Sequence, residues 1–208
     1  MQVPDRAGST VTNRARRDQI VAATVEVIAA SGYRAAAFQS IARQAGIKST
    51  RTISYHFANK DELIQAVVQH VMTTIGESLK DVESGGTATE SLASYIRSTV
   101  ALSRDHRKEM TALMNIFLEH HPDDDTEVYG DANEEAVTSR VEQILIAGQE
   151  SGEFGEFDTE VMAMTIQRAV DGMPFLLRSR PDLDLDHYAD ELVALFRRAT
   201  AADQGGGR

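Results

Sequence analysis

The chain has 208 residues, 42% of them hydrophobic and 25% charged, which is room for one large or two small domains with a core that needs no staples. It has no cysteine, which excludes disulfides, thiolate chemistry and cysteine-bound zinc. Its net charge of -11 argues, taken alone, against a nucleic-acid partner.

No window approaches the roughly 18 consecutive apolar residues that a membrane-spanning helix needs. Met1 to Thr10 lacks the apolar stretch of a signal peptide. These two readings give the expectation of an intracellular, cytoplasmic protein with no membrane partner. Charge is unevenly spread, however. Residues 1–60 hold nine basic and three acidic side chains, a net of +6, while the remainder carries −17. A basic N-terminal quarter is joined to a strongly acidic body.

The periodicity is helical nearly throughout. Ile20, Thr24, Val27 and Ile28 mark a helix from about Arg14 to Ser31, closed by a C-terminal cap at Gly32. Phe38, Ile41, Ala42 and Ala45 form a short segment that Gly46 breaks, and a second short segment runs from about Ser49 to Tyr55. Asn59 with Glu62 has capping-box spacing and opens a long helix with Leu63, Val67, Val71, Ile75 and Leu79. Ser84-Gly85-Gly86 is a loop, and Thr87 with Glu90 opens the helix of Leu92, Tyr95, Ile96 and Val100. Met110, Leu113, Met114, Phe117 and Leu118 mark the next, ended by His120-His121-Pro122 and an acidic run at Asp123 to Asp125. Val137, Val141, Ile144 and Leu145 mark another, stopped at Ser151-Gly152. Asp158 caps a helix expected to run to about residue 179, kinked at Pro174. The last helix, about 185–202, carries Tyr188, Leu192, Val193, Leu195 and Phe196, and residues 203–208 read as a disordered tail. The expected fold is all-α, with about nine helices and no strand.

Phe38 to Tyr55 is two short helices around a glycine turn, the layout of a helix-turn-helix whose second helix enters the DNA major groove. Ile41, Ala42, Ala45 and Ile47 suit its packed side, the two alanines allowing a close crossing. Ser49, Thr50, Arg51, Thr52 and Ser54 offer donors for base edges and phosphates. An ordinary helical hairpin has the same outline, but the basic charge of this quarter favours DNA, because phosphate contacts need Lys and Arg.

Residues 14–68 resemble the DNA-binding domain of the tetracycline-repressor (TetR) family of transcriptional regulators. The matching text is Ile20-Val21-Ala22-Ala23, Gly32-Tyr33, Ile41-Ala42 with Ala45-Gly46, Tyr55-His56-Phe57, Asn59-Lys60 and Glu62-Leu63. Two departures stand out. Ala36 and Ala37 occupy positions where the family usually has a capping hydroxyl, a loss of about 1 kcal/mol that packing of Phe38 is expected to cover. Nine residues, not the family's usual eight, separate Gly46 from His56. An inserted residue within a helix turns everything downstream by about 100°, so counts from Gly46 and from His56 disagree on which side chains read bases.

The resemblance implies roles. Ser49, Thr50, Arg51 and Thr52 are candidates for base edges, with Lys48 and Ser54 beside them. Arg51 leads, since a guanidinium binds guanine O6 and N7 together, a phosphate contact being the alternative. Tyr55 and His56 are the family's phosphate-contacting pair, or Tyr55 is a core aromatic, and Phe57 reads as core. Lys60 is expected on a phosphate at a helix N-terminus. Arg14, Arg16 and Arg17 reach the backbone or minor groove, or form a solvated run.

The implied organisation is a flexible basic arm (1–13), a DNA-binding domain (14–60) and a helical ligand-sensing and dimerisation domain (61–202) with a linking helix (59–82). Met110, Met114, Phe117, Tyr129, Met162 and Met173 are candidate effector-pocket residues, adaptable methionines among them, against the plainer reading of core. Ile166, Val170, Leu192 and Phe196 are candidate dimer residues on the last two long helices. The implied function is a homodimeric, ligand-relieved repressor of a palindromic double-stranded operator, its small-molecule effector unidentified. Alternatives are a helical adaptor or carrier without DNA binding, or an activator of the same fold. No HExxH, P-loop or nucleophile motif is present, and His120, His121 and Asp123 to Asp125 suit a metal poorly. No catalytic residue, metal or cofactor is expected.

Overall fold

The computed structural model describes residues 6–80, 86–119 and 131–202. Ten α-helices follow in order among them: α1 Arg6–Ser31, α2 Phe38–Gln44, α3 Thr50–His56, α4 Lys60–Ser78, α5 Ala88–Asp105, α6 Arg107–Glu119, α7 Asp131–Glu150, α8 Thr159–Asp171, α9 Met173–Ser179 and α10 Leu185–Thr200. The described residues contain no strand, only an isolated bridge between Phe154 and Ala201. The all-α expectation stands, with one helix more than the periodicity suggests. The stretch read as a single helix kinked at Pro174 is two helices. It breaks at Gly172, and Pro174 sits in the first turn of α9, where its missing N–H costs nothing.

Local signals account for the other ends. Gly32 closes α1 at φ +82°, and Gly152 ends the turn after α7 at φ +75°. Thr87 and Glu90 form a full capping box at α5: the Glu90 N–H meets the Thr87 hydroxyl at 3.2 Å, and the Thr87 N–H meets the Glu90 carboxylate at 3.0 Å. Asp158 and Asp184 cap α8 and α10 through the N–H groups of Val161 and His187. The first helix begins at Arg6, so residues 6–13 of the segment read as a flexible arm are helical. Residues 1–5 and the tail at 203–208 lie outside the described residues.

The chain divides into two compact units. The first comprises residues 1–73 and 108–128, the second 74–107 and 129–208. The division differs from a simple N-terminal head: α6 packs with the first unit. Lys108 pairs with Glu26 at 2.5 Å, the Asn115 amide donates to the Ile28 carbonyl at 3.0 Å, and Glu119 meets Arg34 at 3.5 Å. The first unit's core is Ile20, Ile28, Ile41, Ile53, Phe57, Leu63 and Ile64, all fully buried. Burial of side chains this size stabilises by about 1.5–3 kcal/mol each before entropy is counted.

The second unit buries Leu92, Tyr95, Ile96, Val141, Leu145, Ile166, Val170 and Phe196 around α5. The Tyr95 hydroxyl ties α5 to α8 inside this core, donating to Gln167 at 2.6 Å. Gln167 in turn donates to Asp171 at 2.6 Å, whose carboxyl burial pushes above the usual carboxylate range.

Candidate nucleic-acid interface

The turn between α2 and α3 follows from its residues. Gly46 takes φ +66°, a left-handed conformation open to glycine at no steric cost. The Gly46 N–H bonds the Arg43 carbonyl at 3.2 Å and the Ile47 N–H bonds the Ala42 carbonyl at 2.8 Å, the paired bonds of a Schellman motif. Ser49 then caps α3, its hydroxyl accepting the Arg51 N–H at 3.2 Å. The start of α2 is held by Ser40, not by Phe38 alone. With Ala37 unable to cap, the Ser40 hydroxyl accepts the Ala37 N–H at 3.2 Å and donates to the Ala35 carbonyl at 2.5 Å.

The register of α3 is settled by burial. The helix runs unbroken from its Ser49 cap to His56. Ile53 is completely buried and fixes the inner side. Arg51 and Tyr55, each two residues from Ile53, stand about 200° round the helix from it, on the outer side. Tyr55 is 76% exposed, so the core alternative for it fails. Its ring meets His56 edge to face at 5.2 Å. Lys48, Ser49, Thr50, Arg51 and Ser54 are exposed, while Thr52 and His56 are half-buried on the flanks.

Two basic residues predicted for phosphate are turned inward. The Arg17 guanidinium donates to the His56 carbonyl at 2.7 Å, meets Glu62 at 3.4 Å and lies 4.2 Å over the Phe57 ring. It closes the C-terminal end of α3, where helix carbonyls lack partners and a cation is favoured. The Lys60 ammonium lies 3.8 Å over the Tyr33 ring and donates to the Tyr33 carbonyl at 3.2 Å. Burial pushes Lys60 below the usual lysine range, with Asp61 and Glu119 pulling the other way. Both residues brace the motif. Gln19 was not singled out from sequence, yet its amide donates to the Ala45 carbonyl at 2.7 Å and holds the other end of the turn. Nothing local in the sequence marks it.

The remaining candidates separate. Met110, Met114 and Phe117 stand on α6 in the first unit, and Met162 stands on α8 in the second. Tyr129, His120, His121 and Asp123 to Asp125 lie outside the described residues. A cleft of about 430 Å³ lies between the start of α5 and α7, lined by Ser91, Arg140, Ile144, Ala147 and Glu153 and by none of the methionines. Ile166, Val170, Leu192 and Phe196, read as dimer residues, are buried within the chain and belong to its core. The exposed apolar residues of the same region are Val161, Met164, Phe175 and Leu195. No group of three or more metal-ligating side chains is present among the described residues, and no described helix is long and apolar enough to cross a membrane.

Comparison with known proteins agrees with this geometry. Residues 20–67 match the model for bacterial regulatory proteins of the tetR family, and residues 85–200 match the tetracyclin repressor-like C-terminal domain. The chain belongs to the tetR family. Within this family it is 36% identical over 90 residues to the fatty acid metabolism regulator protein of Bacillus subtilis, covering 42% of this chain and 46% of that one. The chain spans about half the length of the curated relatives it matches. A tetR-family regulatory protein from Rhodococcus shares the fold at TM-score 0.79 and 22% identity, over 91% of this chain and 98% of that one. The transcriptional regulator FadR from Bacillus subtilis, solved with stearoyl-CoA, matches at TM-score 0.67 and 26% identity, over 85% of this chain and 95% of that one.

Proposed function

We infer that this tetR-family chain is a transcriptional regulator that binds a palindromic operator as a homodimer in the cytoplasm and is released from it by a small-molecule effector. The observation that carries the reading is the outer face of α3: Arg51 and Tyr55 stand together opposite the buried Ile53, with exposed Lys48 just ahead of the helix. A helix of this kind presents a bidentate donor to base edges and a ring and a cation to the backbone. One such helix makes few contacts, and a two-fold pair reading two half-sites is the usual remedy. Repression is the simplest outcome of occupying an operator.

The effector acts by shifting the dimer away from the half-site spacing. Because α6 packs with the DNA-binding unit, it is the element through which that shift would be transmitted. The stearoyl-CoA bound by the Bacillus subtilis FadR makes acyl-CoA thioesters the first effector class to test.

Selection of bound fragments from source genomic DNA tests the reading. A recovered palindromic consensus, released by an acyl-CoA and lost with Arg51→Ala by about 1–3 kcal/mol of specific affinity, supports it. Failure to retain any fragment at low salt removes the DNA-binding reading and leaves a helical adaptor or carrier.

A further inference from the structure

Arg16, Gln19 and Ala45 form a chain of hydrogen bonds from α1 to the turn between α2 and α3. The Arg16 guanidinium donates to the Gln19 side-chain carbonyl at 2.7 Å, and the Gln19 amide donates to the Ala45 backbone carbonyl at 2.7 Å. Arg16 and Gln19 are three residues apart on α1 and share one face. Ala45 ends α2, where helix carbonyls have no partner within the helix. The two contacts together fix the direction of the Gln19 amide. Reversed, its oxygen would face a carbonyl and its NH2 group a guanidinium, and neither pair can bond.

This chain holds a cation at the entering end of α3. Lys48 and the Ser49 cap follow Ala45 closely in sequence, and Arg43 precedes it on the last turn of α2. Arg16, Arg43 and Lys48 are all exposed, and none makes an ion pair among the described residues. Asp18, the acid nearest to Arg16 in sequence, stands about 200° round α1 from it. One N–H of the Arg16 guanidinium is taken by Gln19, and the others suit a bidentate contact with phosphate oxygens. An exposed arginine gives up side-chain freedom when it meets a phosphate, and one that is already held gives up less.

We propose that Gln19 is a positioning residue for DNA binding. It holds Arg16 beside the α2–α3 turn, and Arg16 takes a backbone phosphate where the chain enters α3. Tyr55 and His56 stand at the other end of the same helix. The proposal rests on the DNA-binding reading above and adds a phosphate ligand from α1 and the uncharged residue that sets it.

Fluorescence anisotropy of a labelled random-sequence duplex, titrated with the full chain at about 50, 100 and 200 mM salt, tests it. Arg16→Ala should weaken binding and reduce the salt slope by about one, and Arg16→Lys should keep the slope. Gln19→Ala changes no charge, yet it should weaken binding about threefold more in the wild-type background than in the Arg16→Ala background. A residue that only braced the turn would weaken both backgrounds equally. Helix content by circular dichroism, unchanged in each variant, separates lost positioning from lost folding. An unchanged slope in Arg16→Ala overturns the phosphate contact and leaves the DNA-binding reading intact. Additive losses from Arg16→Ala and Gln19→Ala overturn the positioning role. A wild-type chain that binds no duplex at the lowest salt overturns the DNA-binding reading itself.

Discussion

The Asn115 side-chain amide donates to the Ile28 carbonyl at 3.0 Å, and that carbonyl also accepts the Gly32 N–H at 2.9 Å. One residue of α6 thus holds the C-terminal turn of α1 at the point where the chain leaves it for the helix-turn-helix. Asn115→Ala should cost about 1 kcal/mol of stability, the net value of a single hydrogen bond, visible as a lower urea midpoint. Operator affinity should change with it, since the helix that frames α2 and α3 loses a fixed end. An unchanged urea midpoint would show that the bond contributes nothing.

Arg17 distinguishes a brace from a phosphate contact. A phosphate-binding arginine, when removed, reduces the salt slope of DNA binding by about one. Arg17 instead bonds the His56 carbonyl and Glu62 and covers the Phe57 ring. Arg17→Gln should therefore lower stability by about 1 kcal/mol, modest because both ion-pair partners are partly exposed, and leave the salt slope unchanged. A drop in slope with unchanged stability would return Arg17 to the DNA contacts.

Acid sensitivity is expected at the start of α5. The Glu153 carboxylate accepts the Ala88 N–H at 3.0 Å and the Thr89 N–H at 3.1 Å. These backbone bonds, Thr89's first, hold its carboxyl below the usual glutamate range. Its contribution is then complete above the ordinary glutamate pKa of about 4.5 and is lost as pH falls through the depressed folded value. Glu153→Gln should flatten the acid limb of a stability–pH curve and leave the limb above neutrality as it was. Parallel acid limbs for both proteins would refute this.

Gly148 is required by packing. A Cβ there would overlap the ring of Phe154, which is buried against α7. Gly148→Ala must push that ring out and should cost about 1–3 kcal/mol, read as a lower unfolding midpoint. Gly148→Ala with Phe154→Leu should recover part of the loss.

The helical architecture was legible because periodicity and caps are local. Asp158, Thr87 with Glu90, and Gly32 mark helix ends wherever the rest of the chain goes. The break falls at Gly172 and not at Pro174, because proline is legal in a first turn and only the chain path shows which turn is first. The candidate DNA-binding residues are legible as types, not as orientations. Lys48 and Arg51 face outward, while Arg17 and Lys60 are drawn in by a carbonyl, a carboxylate and two rings that are distant in sequence. Ile166, Val170, Leu192 and Phe196 lie buried in the chain's own core, and an apolar stripe reads alike in sequence whether its partner is the chain itself or a second copy.

Sequence by itself determined the class, the helix-turn-helix and the split between a basic head and an acidic body, because composition, period and turn chemistry act over a few residues. The tertiary structure decided what depends on distant partners. It set the register of α3 through the burial of Ile53, the duties of Arg17 and Lys60, and the placement of α6 beside α1. Each of these is fixed by a contact between segments far apart in the chain, and local signals carry no information about such contacts.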